Sequence, residues 1–293
     1  MMLGPVVPRG FRRHPSGLIL PSAMPPALTP SRTWPINDTA FRDYIRRIED
    51  VYRLPWLVTP ALVGSPLNAS SPLSVNVITV SGMSNTAGNT LIGAARWTST
   101  ASASTADDTG GVNSYTLLTP QVESTNCGVI IFYAPNIGAN GSNAISVHLS
   151  GATTYRALTV AEFSGVAISS PLDLEATGAT GMDAFPLTAV WTTTNANDLL
   201  IGACGIEGFP TLSPNAGYAF LGPTVSQIFG MEYQAVSTIQ TAIQSGFGLD
   251  GSQTWVAKGA AFKAAASASG SLFSQCRLAG IGDGGPFFQN PLQ

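Results

Sequence analysis

The 293-residue sequence predicts an all-β protein: a β-sandwich or jelly-roll body with an extended N-terminal arm, one short helix and an extended C-terminal tail. Three observations carry that expectation. From Ser74 onward, apolar residues recur with period two in short runs separated by turn residues, Ser74-Val75-Asn76-Val77-Ile78-Thr79-Val80 being the clearest. Long amphipathic helical patterns are missing from the same region. The two ends of the chain are rich in Pro or Gly and follow neither period. The expected boundaries are 1–35 for the arm, 36–73 for a helix and linker, 74–265 for the body and 266–293 for the tail.

The arm carries Pro5, Pro8, Pro15, Pro21, Pro25, Pro26, Pro30 and Pro35. Each removes a backbone donor and restricts the residue before it, so the arm is expected to be extended rather than packed on itself. It holds no acidic residue, and its cations are Arg9, Arg12, Arg13 and Arg32. Phe11, Leu18, Ile19, Leu20, Met24, Leu28 and Trp34 make it more apolar than a solvated linker. Arg9, Phe11, Arg12, Arg13, Leu18, Leu20 and Trp34 are therefore the candidate partner contacts, with a plain solvated tail as the alternative.

After the arm, Asn37 or Asp38 can cap a helix by accepting the free amides of its first turn. Phe41, Ile45, Ile48 and Tyr52 then fall on one face, and Pro55 stops the helix near Leu54. In the body, strands are expected at Ser74–Val80, Thr90–Trp97, Gly128–Ala134, Ala144–Leu149 and Tyr155–Phe163. Further strands are expected at Leu187–Thr194, Asp198–Ile206, Ile228–Val236, Thr238–Gln244 and Thr254–Phe262. The stretch Gly138-Ala139-Asn140-Gly141-Ser142-Asn143 reads as a hairpin turn, because Asn-Gly favours the positive φ of a tight reversal.

The body echoes itself. Asn89–Ala94 resembles Asp198–Ala203, Ser114–Leu117 resembles Gly217–Phe220, and Tyr155–Phe163 resembles Trp255–Phe262, in the same order and at a separation of about one hundred residues. Two related halves would produce such a pattern, and chance matching of common strand residues is the alternative. In the tail, Gly280, Gly282, Gly284 and Gly285 form a pliable lead to Pro286-Phe287-Phe288. Adjacent aromatics on a polar lead suit docking, so Pro286, Phe287 and Phe288 join the candidate partner contacts.

Charged residues make up only 10% of the chain, against about a quarter in ordinary soluble proteins. The net charge of −3 hides an asymmetry. Met1–Arg53 carries eight Arg against four acidic residues, and the remainder five basic against twelve acidic groups. A basic arm can therefore pair with the acidic body of another copy. Four spread arginines are too few for a phosphate track, which argues against nucleic acid. No signal peptide and no membrane-length apolar run is visible, which leaves cytoplasmic synthesis as the expectation. Cys127, Cys204 and Cys276 give neither a disulfide framework nor a metal spacing.

No catalytic constellation emerges, and no cofactor or metal is expected. Asp108-Thr109-Gly110 is the tripeptide of aspartic proteases, but it follows a polar run and has no second copy, so a turn explains it as well. His148 alternates with Ile145, Val147 and Leu149 and is expected to face outward, without a nucleophile beside it. Asp107, Asp108 and Asp250 lack the spacing of a calcium loop. Trp97, Trp191 and Trp255 could form a sugar platform, but each lies in a strand pattern and suits the core.

One resemblance can be named. Asn89-Thr90-Leu91-Ile92-Gly93, Asp108-Thr109-Gly110-Gly111-Val112-Asn113-Ser114-Tyr115-Thr116-Leu117, Tyr155–Gly165, Asn197–Gly202 and Gln253–Ala257 together resemble β-sandwich modules of bacteriophage virion proteins and of some bacterial surface proteins. The likeness spans about Ser74 to Ala265 and includes no catalytic signature. It implies a structural role in a virus particle, as a capsid decoration, cement or tail-associated subunit, with major capsid or other virion proteins and copies of itself as partners. A carbohydrate-binding adhesin and, last, a hydrolase on a sandwich scaffold are the alternatives.

Overall fold

The computed structural model describes residues 11–13, 19–21, 58–98, 101–123, 127–222 and 228–266. The chain divides into two units, Pro55–Ala268 and, separately, Met1–Leu54 with Ser269–Gln293. In the latter, β1 (Phe11–Arg13) and β2 (Ile19–Pro21) form an antiparallel ladder with Phe11 opposite Pro21. The expected arm thus pairs with itself locally at these residues. The helix expected after Asp38 lies outside the described residues.

The body is all-β and antiparallel, with no helix among its described residues. Its strands are β3 (Ala61–Ser71), β4 (Val75–Asn85), β5 (Thr90–Trp97), β6 (Ala103–Asp108), β7 (Thr116–Leu117), β8 (Gln121–Glu123), β9 (Cys127–Ala134) and β10 (Asn140–Thr153). They continue with β11 (Arg156–Ser164), β12 (Leu172–Asp183), β13 (Asp198–Ile206), β14 (Leu212–Pro214), β15 (Ala219–Gly222), β16 (Phe229–Val236), β17 (Phe247–Leu249) and β18 (Gln253–Lys263).

Two inner sheets meet face to face. One has the order β3-β11-β5-β9-β7, and the other β12-β18-β13-β16-β15. Ile92, Val129, Ile131, Ala161 and Phe163 of the first pack against Leu199, Ile201, Met231, Val256 and Phe262 of the second. The opposite face of each inner sheet is covered too. The three-stranded sheet β4-β10-β6 lies over the first, closing on Leu91, Trp97, Ile130 and Phe132 with Ile78, Val80, Ile145 and Val147. The β14-β17 ribbon and the segments around Trp191 and Ile243 lie over the second, closing on Leu200, Cys204, Ile206 and Ala261. This is why β5, β9 and β13 are buried along their whole length and read as continuous apolar runs, while β10 alternates.

The echoed segments occupy equivalent places. Asn89–Ala94 leads into β5 and Asp198–Ala203 opens β13, each third in its sheet. The Tyr155 and Trp255 segments run through β11 and β18, each second, and the Ser114 and Gly217 segments reach β7 and β15, each last. The covers correspond as well. The pairing of β10 with β4 and β6 is matched by the bridges Leu187↔Gly246 and Trp191↔Ile243 and by the β14-β17 ladder.

Several expectations change. Leu187–Thr194 and Thr238–Gln244 are not strands but make isolated bridges, because left-handed backbone at Ala242 and at Gly246 bends the segment that would have paired. Residues 138–143 do not close a hairpin, since β9 and β10 belong to different layers. Residues 61–71, expected in the linker, form β3, an edge strand that tolerates Pro66 because one side of its ladder is unpaired. Strand β12 was not anticipated, nor were the shorter β6, β7, β8, β14, β15 and β17, and the pairing of β12 to β18 slips between Ala176 and Ala179 beside Gly178.

Candidate functional site

The first and the last described residues of the body lie beside Gly165. That residue has a φ of 73°, and a Cβ on it would stand 2.7 Å from Val58 Cγ1. Its carbonyl accepts the Ala265 amide at 2.7 Å. The chain therefore enters and leaves the body at one end. β11 runs nine residues away from that end, about 30 Å of extended chain. The far end is bounded by Arg156 at the start of β11, Trp97 at the end of β5 and Ile206 at the end of β13.

Two buried arginines join the layers at this far end. Arg156 donates through Nη1 to the carbonyls of Val75 and, at 2.7 Å, Thr153, linking β11 to the outer sheet. Burial lowers its pKa from the ordinary guanidinium value. Arg96 reaches the other way. Its Nη2 donates to the Ile206 carbonyl at 2.8 Å, across the gap between the inner sheets, and its Nη1 donates to Thr98 Oγ1 at 2.7 Å and to the Tyr155 carbonyl. Gly205 makes room for this, since a Cβ there would stand 2.8 Å from Arg96 Cγ and 2.7 Å from Cys127 Sγ. Burial pushes the Cys127 thiol up, and Arg96 offsets part of that.

Above Arg96 a cleft of about 280 Å³ opens, lined by Arg96, Thr98, Tyr155, Glu207, Phe209 and Ile228. Tyr155 is 48% exposed and holds the left-handed φ of 48°, uncommon for an aromatic residue. Phe209 is 67% exposed. Arg96, at 2% exposure, is the buried base of the site, and Glu207 is exposed on its rim. Among the described residues no carboxylate bonds the Arg96 guanidinium, whose Nε has no partner.

Several acidic groups elsewhere are bonded within the fold. Glu162 accepts Asn85 Nδ2 at 3.2 Å, the Thr86 amide at 3.1 Å and Asn89 Nδ2 at 2.5 Å. Asn143 Nδ2 donates to Asn85 Oδ1 and to Asp108 Oδ2, extending the same buried network between sheets. Asp108 also accepts from Asn113, and Gly111 closes a turn onto its carbonyl, so Asp108-Thr109-Gly110 is a braced turn. Glu232 accepts the amides of Asn215 and Gly246, both at 2.8 Å. Burial pushes its pKa up to about 7. Asp198 is pushed up to about 6 by burial, with Asp173 beside it. Burial alone would raise Asp173 too, but bonds from the Thr194 hydroxyl and the Thr194 and Asn195 amides hold it below the usual carboxylate value. That carboxylate pair anchors the loop before β13 near the arm-bearing end.

Of the residues anticipated as partner contacts, Phe11, Arg12 and Arg13 lie in β1 and Leu20 in β2. Arg9, Leu18, Trp34, Pro286, Phe287 and Phe288 lie outside the described residues. His148 faces outward and pairs with Asp107 at 2.9 Å. Trp97, Trp191 and Trp255 are buried. No group of three or more metal-ligating side chains occurs among the described residues. Arg96, Tyr155, Glu207 and Phe209 were not singled out by sequence. The available signal was Arg96 itself, a cation inside the apolar run of β5. Neither family models, nor curated proteins, nor solved structures yield a match to this chain.

Proposed function

We propose that the chain is a structural subunit of a virus particle, a decoration, cement or tail-associated protein whose β-sandwich body is held by its terminal segments. The observation that supports this best is the shared exit beside Gly165. A body joined to both terminal segments at one end can stand on a surface and present the other end outward. The four-layer burial of the inner strands suits such a role, because it makes a stiff block rather than a mobile scaffold. The charge asymmetry adds a second support: the arginines of residues 1–53 can meet the acidic body of another copy or of a shell protein.

The test is quantitative proteomics of particles purified by density from a lysate of the producing cell. The protein is expected in the particle band at a fixed ratio to the major shell protein through successive gradients. Recovery only in the soluble fraction overturns the reading.

A further inference from the structure

We propose that the cleft at the far end of the body binds a neutral saccharide, one hexose ring resting on Tyr155 and Phe209 and hydrogen-bonded between Arg96 and Glu207. The site stands independently of the particle assignment.

The walls make the case. Tyr155 and Phe209 are exposed aromatic residues that line the same cleft as the charged side chains of Arg96 and Glu207. The C–H face of a pyranose covers such a ring, while its hydroxyls need both donors and acceptors nearby. Arg96 supplies the donor side. Three of its N–H groups are engaged by Thr98, Tyr155 and Ile206 and Nε is enclosed, which leaves one Nη2 N–H of the five a guanidinium carries to meet a ligand. Those bonds fix the side chain before any ligand arrives, so little ordering is lost on binding. Glu207 supplies the acceptor side. Its carboxylate has no hydrogen-bond partner among the described residues and does not form an ion pair with Arg96.

An unbridged cation and anion in one small cleft select against charge in the ligand. A carboxylate or phosphate meets Glu207, and an ammonium meets Arg96. Vicinal hydroxyls satisfy both, accepting from the guanidinium and donating to the carboxylate. The volume of about 280 Å³ falls at the lower edge of small-molecule sites, which fits one ring rather than a long chain. The left-handed backbone of Tyr155 belongs to the same site, because Arg96 holds its carbonyl there.

The test uses the full chain and saturation-transfer NMR with methyl glucoside, methyl galactoside and methyl mannoside, alongside glucuronate and glucosamine. At least one neutral glycoside is expected to bind with a Kd on the order of 1 mM. Glu207→Gln, an exposed change that leaves the fold intact, and Tyr155→Asn, which keeps a residue tolerant of positive φ, should each weaken it roughly tenfold. Phe185→Ala, an exposed aromatic outside the cleft, should change nothing. The charged sugars should bind more weakly than the neutral ones. Absence of saturation transfer from all three glycosides, binding that survives Glu207→Gln, or preference for a charged sugar overturns the proposal.

Discussion

Gly93 lies directly beneath the ring of Phe132, its neighbour across the β5-β9 ladder: a Cβ on Gly93 would stand 2.3 Å from Phe132 Cζ. The equivalent place in the second inner sheet is Gly202 opposite Glu232, where a Cβ would stand 2.6 Å from Glu232 Oε1. In both sheets a glycine in the central strand clears space for a large side chain on the next. Gly93→Ala is therefore expected to destabilise the body by about 1–3 kcal/mol, as over-packing of a core does. Gly141→Ala, where a Cβ meets nothing within 4 Å, should leave the urea midpoint unchanged.

Glu232 makes stability depend on pH. Its folded pKa is raised to about 7 from an ordinary 4.5, chiefly by burial, so the folded state holds a proton that the unfolded chain has lost. The contribution is complete below the unfolded value and declines as pH rises through about 7, after which stability levels off. Asp198, raised from 3.8 to about 6, acts in the same direction at lower pH. Glu232→Gln should cost about 1–3 kcal/mol, because its amide presents a donor to a backbone donor. It should also flatten the slope between pH 6 and 7 in urea titrations, leaving the Asp198 part in place.

Arg96 carries the link between the inner sheets at the far end. Arg96→Met should leave the Tyr155 and Ile206 carbonyls without their side-chain donor and lower stability on the order of 3 kcal/mol in urea unfolding. Arg96→Lys should recover only part, since one ammonium cannot reproduce the guanidinium's planar fork.

Cys127 and Cys204 are buried, and burial raises both thiols above their ordinary value. In the folded protein neither should react with iodoacetamide at neutral pH, whereas both should be alkylated in denaturant. Peptide mapping by mass spectrometry reads the difference.

The particle reading gives a test of the tail. Deleting residues 285–293 removes Pro286, Phe287 and Phe288 and should leave the far-ultraviolet circular dichroism of the body intact while abolishing co-sedimentation with particles. Undiminished incorporation of the shortened protein removes the tail from the set of anchors.

The inner strands were the legible part of the fold. Thr90–Trp97 and Asp198–Ile206 match β5 and β13 residue for residue, because burial on both faces leaves an unbroken apolar run. Edge strands were less legible. β3 carries Gly64, Pro66 and Asn68, which read as loop residues, and an edge ladder tolerates them. Layer assignment was not legible at all between Ala134 and Asn140, where Asn-Gly signals a reversal but cannot say whether the chain returns to the same sheet. The cleft was invisible for a different reason. Arg96, Tyr155 and the Glu207–Phe209 segment come from three separated stretches that only the stacking of the two inner sheets brings together.

Because residues 58 to 60 and Ala265 lie against the same glycine, the two ends of the described body stand side by side, as in a closed cassette. Such a cassette can be spliced into a surface loop of an unrelated carrier without stretching either host or insert. Joining its two ends by a short linker and reopening the chain elsewhere, at the exposed turn around Gly251 for instance, would yield a permuted body with the same core.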